Sequence, residues 1–172
     1  MPGTIIASYC RWLEYEDAVH RTTLASFETV PVDRRDSAEY RRAVTIQAHV
    51  VIARGMWLPR LGVIPSPPFS VASFFPEDAE LPQVAANWET VYALWSDYLS
   101  GLDDPALDRT FEYQSLDGKR FRNSLRDVLD QLYGHSCYHR GQIAMLIRAA
   151  GGKPAITDFI YWCREVLPDA EG

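Results

Sequence analysis

Three of the four histidines in this chain have the residue type and the positions expected of metal ligands. His135 and His139 are four residues apart, and four residues turn an α-helix by about 400°, so both side chains leave nearly the same face. Two imidazoles on one helical face can converge on a single divalent ion. Ser136 stands where the H-E-x-x-H motif has glutamate, so the metalloprotease base is missing.

The apolar pattern of the predicted helices turns these histidines inward. His49 interrupts the stripe of the second helix, and His135 and His139 lie near the middle of the stripe of the fourth. Because a buried imidazole needs partners for both nitrogens, the three could satisfy one another through a shared cation. The alternative is that each pairs with a backbone carbonyl or a buried carboxylate. His20 also falls on an inward stripe, and we interpret it as a core histidine.

Composition excludes several classes of protein. The net charge is −6, with 17 basic and 23 acidic residues, which argues against nucleic-acid binding. The three cysteines form no C-x-x-C motif, so we expect free thiols and a cytoplasmic protein. Cys137 is two residues from each of the paired histidines, about 200° around the helix, so we expect its thiol to point away from them and to pack. No signal peptide or apolar run long enough to cross a bilayer occurs, so no membrane partner is expected.

The elements that must position the histidines are mainly helical. We predict a single domain over residues 1–172 with an all-α fold: a four-helix bundle with a long crossover connection, a small β-hairpin before the fourth helix and a short C-terminal helix. The five predicted helices run over about 5–28, 36–61 (capped by Asp36), 82–101, 124–150 (opened by a Ser124–Asp127 capping box) and 157–166, with a connection over 62–80 and the hairpin over 108–123. The connection contains Phe69, Phe74 and Phe75, which need a surface to pack on.

The segment His135-Ser-Cys-Tyr-His-Arg-Gly-Gln-Ile143 resembles the closing motif of the DinB-like (DinB/YfiT) metal-binding bundle family. The stretch from His49 to the Trp57–Leu61 segment is similar to that family's first ligand segment, and the hairpin matches as well. The first helix has Trp12-Leu13-Glu14 where members of that family commonly have an Asn-rich stretch. The resemblance implies an open three-histidine site made by His49, His135 and His139, and often a homodimer. An exposed tryptophan on the first or third helix would suit that dimer.

The family resemblance leaves the ion open among Ni, Zn, Fe and Mn, because imidazole ligands alone do not choose. Three neutral ligands with free coordination positions are typical of a catalytic site. The first hypothesis is a metal-dependent transferase that activates a low-molecular-weight thiol. The alternatives are a metal-dependent hydrolase, using Asp127 or Asp130 as base, and a non-enzymatic metal-binding stress-response protein. Arg140 is predicted to form a structural ion pair, and Gln142 either to support His139 or to be an ordinary polar flank.

Overall fold

The computed structural model of the chain describes residues 4–115 and 117–167. Within these ranges it confirms the all-α bundle, the hairpin that precedes the last long helix and the short C-terminal helix. No described helix combines the length and the apolar character needed to cross a bilayer. The elements in chain order are α1 Ile5–Glu28, α2 Ala38–Arg60, α3 Leu81–Ser100, β1 Thr110–Gln114, β2 Arg120–Ser124, α4 Leu125–Ala149 and α5 Phe159–Cys163.

The helix ends follow local capping chemistry. At the start of α4 the Ser124 side chain accepts from the backbone N–H of Asp127, and the Asp127 carboxylate accepts from the backbone N–H of Ser124 at 2.8 Å, as the sequence predicts. Helix α2 is capped by Ser37, whose hydroxyl accepts from Tyr40, so the prediction of Asp36 as its cap is wrong by one residue. Serine and aspartate cap about equally well, and sequence alone could not choose between these neighbours.

The C-terminal helix α5 is shorter than the predicted span of 157–166. The backbone is extended at Asp158 on one side and at Arg164 on the other, which limits α5 to five residues. Two short 3-10 helices, Val32–Arg34 and Asp104–Asp108, were not anticipated. Neither changes the order of the long helices.

Helix α2 lies in the middle of the bundle. Every residue from Ala43 to Gly55 is buried, because the helix packs against α4 and α3 and is covered by the 61–80 connection. A helix buried on all sides is apolar all round, apart from residues that do chemistry or find polar partners inside. The Phe69 ring lies 2.9 Å from where a Cβ on Gly55 would stand, so only glycine permits this close approach. His49 is one of the few polar residues in this buried stretch.

The tryptophans of α3 belong to the core. Trp88 and Trp95 are each 1% exposed, and the Trp95 indole N–H donates to the carbonyl of Arg54 at 3.1 Å. They bind α3 to α2 instead of forming a surface for a second copy. On α1, Trp12 is half-buried and stacks on Tyr133 of α4. The exposed tryptophan that would have suited a dimer is therefore absent from both helices.

Candidate metal centre

The structure brings His49, His135 and His139 together between α2 and α4. Their candidate ligand nitrogens all lie within 4.8 Å of one another, and among the described residues this group contains histidines only. Nε2 of His49 is 3.0 Å from Nε2 of His135. Two nitrogens bonded to one zinc at about 2.0–2.1 Å lie about 2.9–3.4 Å apart. His49 and His135 therefore already stand at the separation that a shared zinc ion requires.

Hydrogen bonds to the other ring nitrogens leave lone pairs pointing into the group. Nδ1 of His49 must donate to the carbonyl of Phe74 at 2.9 Å, because a carbonyl only accepts. Nδ1 of His139 lies 2.7 Å from Oε1 of Gln142, which likewise accepts. In a neutral imidazole the remaining nitrogen then carries no proton. The donor set consequently fits a cation, because Nε2 of both residues can act as a ligand.

Electrostatics keep two of the three imidazoles neutral. Burial, together with the charges of His139, His49 and Arg54, lowers the pKa of His135 to about 4. Burial also lowers the pKa of His49, aided by His139 and Arg42 and opposed by the Phe74 carbonyl. At neutral pH both rings are unprotonated, which is the form that binds metal.

Replacing Gln142 with Leu is expected to lower metal affinity by about 10- to 100-fold, the cost typical of losing a hydrogen bond that orients a histidine ligand. The contact at 2.7 Å favours the supporting role for Gln142 over the ordinary polar flank. Competition with a chromophoric chelator would measure the affinity. The unfolding curve of metal-free protein should change little, since Gln142 is only half-buried. Unchanged affinity would show that the contact does not orient His139.

His20 does not belong to the group. Its Nδ1 lies 2.8 Å from Nε2 of Gln47, and its ring stacks on Trp88 with centroids 4.2 Å apart. Cys137 is also elsewhere: Arg140 donates to its sulfur at 3.1 Å, and burial raises the pKa of its thiol. The interpretations of His20 as a core histidine and of Cys137 as a packing thiol agree with these positions.

We expect His20→Gln to make the metal-free protein less sensitive to acid. Burial lowers the pKa of His20 to about 3, whereas a histidine in the unfolded chain titrates near ~6.5. Between these values only the unfolded chain takes up the proton, so each pH unit removes up to about 1.4 kcal/mol from the free energy of unfolding. The stability that His20 contributes is fully present above the pKa of the unfolded chain, and it is lost as the pH falls toward the pKa of the native protein.

Urea unfolding of both proteins at about pH 7 and about pH 5, with chelator present, measures this slope. The variant should lose less stability between the two pH values than the unmutated chain. Equal losses would contradict the burial of a neutral His20.

A buried ion-pair cluster lies beside the histidines. Glu16 of α1 accepts from Arg54 of α2 at 3.1 Å and from Arg140 of α4 at 2.8 Å, and all three side chains are less than a tenth exposed. Arg54 also donates to Ser136, and Arg140 to Tyr15. The ion pair predicted for Arg140 therefore exists. Glu16 and Arg54 were missed, although Glu16 stands on the inward stripe of α1 between Leu13 and His20.

The 61–80 connection supplies the remaining walls of the site. Besides the Phe74 carbonyl, the Phe75 ring stacks on His49 with centroids 3.9 Å apart and planes 11° from parallel. A cavity of about 480 Å³ lies under the connection and is lined by Met56, Phe69 and Phe74, among others. The sequence predicted that these aromatics need a surface to pack on, but not that the surface would include His49.

The fold and the histidine group agree with what a family comparison finds. The model of the DinB family matches residues 5–165, which is nearly the whole chain. The chain therefore belongs to the DinB family. Comparison with curated proteins and with solved structures gave no match. Family membership and the three-histidine group are thus the two observations from which a function must be argued.

Proposed function

We propose that this chain is a metal-dependent transferase that activates a low-molecular-weight thiol, with His49, His135 and His139 as the ligands of a divalent ion. The observation that carries the proposal is the convergence of three histidine side chains with no carboxylate among them in the described chain. Such a set leaves the full charge of the ion available to an incoming ligand, and it leaves coordination positions free.

A divalent ion at this position supplies a strong preference for thiolate over thiol at neutral pH. The residues of the chain contribute the geometry. Phe74 and Gln142 hold two imidazoles in the tautomer that presents Nε2. Phe74, whose carbonyl accepts from His49, also lines the cavity under the connection, which offers room for an electrophile. In the transfer the sulfur lone pair forms the new C–S bond, the leaving group departs with its bonding pair, and the thiol proton passes to solvent.

The alternative of a metal-dependent hydrolase finds less support. Asp127 is held in the capping box of α4, and Asp130 accepts the hydroxyl of Tyr9 at 2.7 Å. Both carboxylates suggested as base are thus engaged away from the histidines. The alternative of a non-enzymatic metal-binding stress-response protein is supported by the placement of the ligands, because an ion there would tie α2 to α4.

Consumption of thiol by metal-loaded protein tests the proposal. Metal-free chain is reconstituted separately with Ni²⁺, Zn²⁺, Fe²⁺ and Mn²⁺ and mixed with a panel of small thiols and carbon electrophiles. The free thiol that remains is then titrated. We expect loss of thiol with at least one ion, and none above background with His135→Ala or with chelator. If no combination consumes thiol although the ion is bound, the transferase proposal fails and the non-enzymatic alternative is favoured.

Three further expectations stay predictions from the sequence. They are a homodimer, a cytoplasmic location and a single domain over residues 1–172. Light scattering at several protein concentrations would test the first of them, with a mass of twice 19.5 kDa as the expected value.

A further inference from the structure

The mouth of the histidine group is bounded by aromatic rings. Phe75 covers one face of His49, and Tyr138 lies edge-on to His139 with centroids 5.0 Å apart. Phe75 is 40% exposed and Tyr138 is 66% exposed, so both rings meet solvent as well as the site. Two of the three histidines are therefore flanked by exposed rings that carry no charge.

One charged group stands beside this mouth. The Arg42 guanidinium carbon lies 5.4 Å from the centre of the Phe75 ring, which itself stacks on His49. Arg42 precedes His49 by seven residues in α2, so two helical turns place both on the same face.

Arg42 differs from the arginine next to it. Arg41 pairs with Glu80 at 3.3 Å and donates to the carbonyls of Glu77 and Ala79, so its charge ties the connection to α2. Arg42 is exposed, and over residues 4–115 and 117–167 it makes no ion pair or hydrogen bond. The chain as a whole has a net charge of −6, yet Arg42 pairs with no carboxylate of the described residues. Its guanidinium, which lies beside the candidate metal site, is therefore available to bind an anion.

We infer that Arg42 selects thiols that carry a carboxylate, by pairing with that anion while the sulfur occupies the histidine group. The inference rests on the proposed function and narrows its substrate class. A guanidinium binds a carboxylate through two parallel hydrogen bonds. The Phe75 ring beside the Arg42 guanidinium restricts the orientation of these two N–H groups. A thiol and a carboxylate separated by two or three carbons could contact both groups at once.

Cobalt spectroscopy tests this without any turnover. The chain is loaded with Co²⁺, whose visible spectrum changes when a thiolate binds, and titrated with 3-mercaptopropionate, 2-mercaptoethanol and cysteamine. These probes are of similar length and carry a negative, a neutral and a positive group. We expect 3-mercaptopropionate to bind about 3- to 10-fold more tightly than 2-mercaptoethanol, in the range of a partly exposed charge-assisted pair, and cysteamine most weakly. Added salt should reduce the difference.

Three variants locate the effect. Arg42→Gln should bring the affinity for 3-mercaptopropionate down to that for 2-mercaptoethanol, and Arg42→Lys should keep part of the preference. Arg148→Gln serves as the matched control, because Arg148 is also exposed but lies nine residues beyond His139, about 13 Å along α4. It should bind all three probes as the unmutated chain does. Melting curves of the three variants establish that each is folded.

The outcomes separate this inference from the proposal beneath it. Equal binding of the three probes, or a preference that survives Arg42→Gln, would overturn the role of Arg42 and leave thiol binding intact. A cobalt spectrum that no thiol changes would overturn both the inference and the transferase proposal.

Discussion

Adding a divalent ion at about a hundred times its dissociation constant is expected to raise the free energy of unfolding by about 2.7 kcal/mol. For a chain of 172 residues this corresponds to roughly 5–10 °C in melting temperature. The reason is that His49 lies on α2, whereas His135 and His139 lie on α4, so only the folded chain assembles the group. Thermal melts of metal-free protein titrated with Zn²⁺ or Ni²⁺ measure the shift.

His135→Ala is the matched variant for this prediction. It removes one ligand nitrogen that is partly exposed, so the metal-free variant should unfold much as the unmutated chain does. The shift on adding metal should largely disappear. His20→Gln provides the opposite control, because it removes a histidine outside the group and should leave the metal-induced shift unchanged. A shift of equal size in all three proteins would mean that the ion binds somewhere else.

Glu16→Gln is expected to lower the free energy of unfolding by about 3–5 kcal/mol, the usual cost of removing one partner from a buried ion pair. The substitution keeps the size of the side chain but leaves Arg54 and Arg140 as two buried cations with no anion between them. The same change should weaken the junction of α1 with α2 and α4. Urea unfolding of metal-free protein measures the loss.

The control for this prediction is Glu89→Gln. Glu89 pairs with Arg21 at 2.9 Å, but both side chains are more than half exposed, so the loss should stay below about 1 kcal/mol. A similarly small loss for Glu16→Gln would contradict the buried cluster. The triple replacement of Glu16, Arg54 and Arg140 by apolar residues should recover part of the stability lost by Glu16→Gln, because it leaves no unpaired charge inside.

Much of the fold could be predicted because each long helix carries both an apolar stripe and a capping signal. The pattern located α1 at the observed bounds, and the Ser124–Asp127 pair located the start of α4. The cap of α2 was missed by one residue, since Asp36 and Ser37 are both good caps. The ends of α5 were missed because a helix of five residues carries too little periodicity to be bounded.

The site was predictable only where its residues share a helix or interrupt an apolar stripe. The spacing of His135 and His139 and the inward position of His49 indicated these three histidines as candidate metal ligands. The structure brings the same three together. The contacts of the Phe74 carbonyl and the Phe75 ring with His49 were not predictable. The connection of twenty residues has no periodic pattern, so its sequence does not indicate which of its residues contact α2. The pairing of Glu16 with two arginines likewise depends on tertiary packing.

Metal content per chain tests the central claim most directly. The unmutated chain and His135→Ala are purified in parallel without chelators, dialysed against a mixture of divalent ions and analysed by elemental mass spectrometry. We predict close to one tightly held divalent ion per unmutated chain and only traces in the variant. An unmutated chain without stoichiometric metal, or a variant that retains as much as the unmutated chain, would contradict metal binding by His49, His135 and His139.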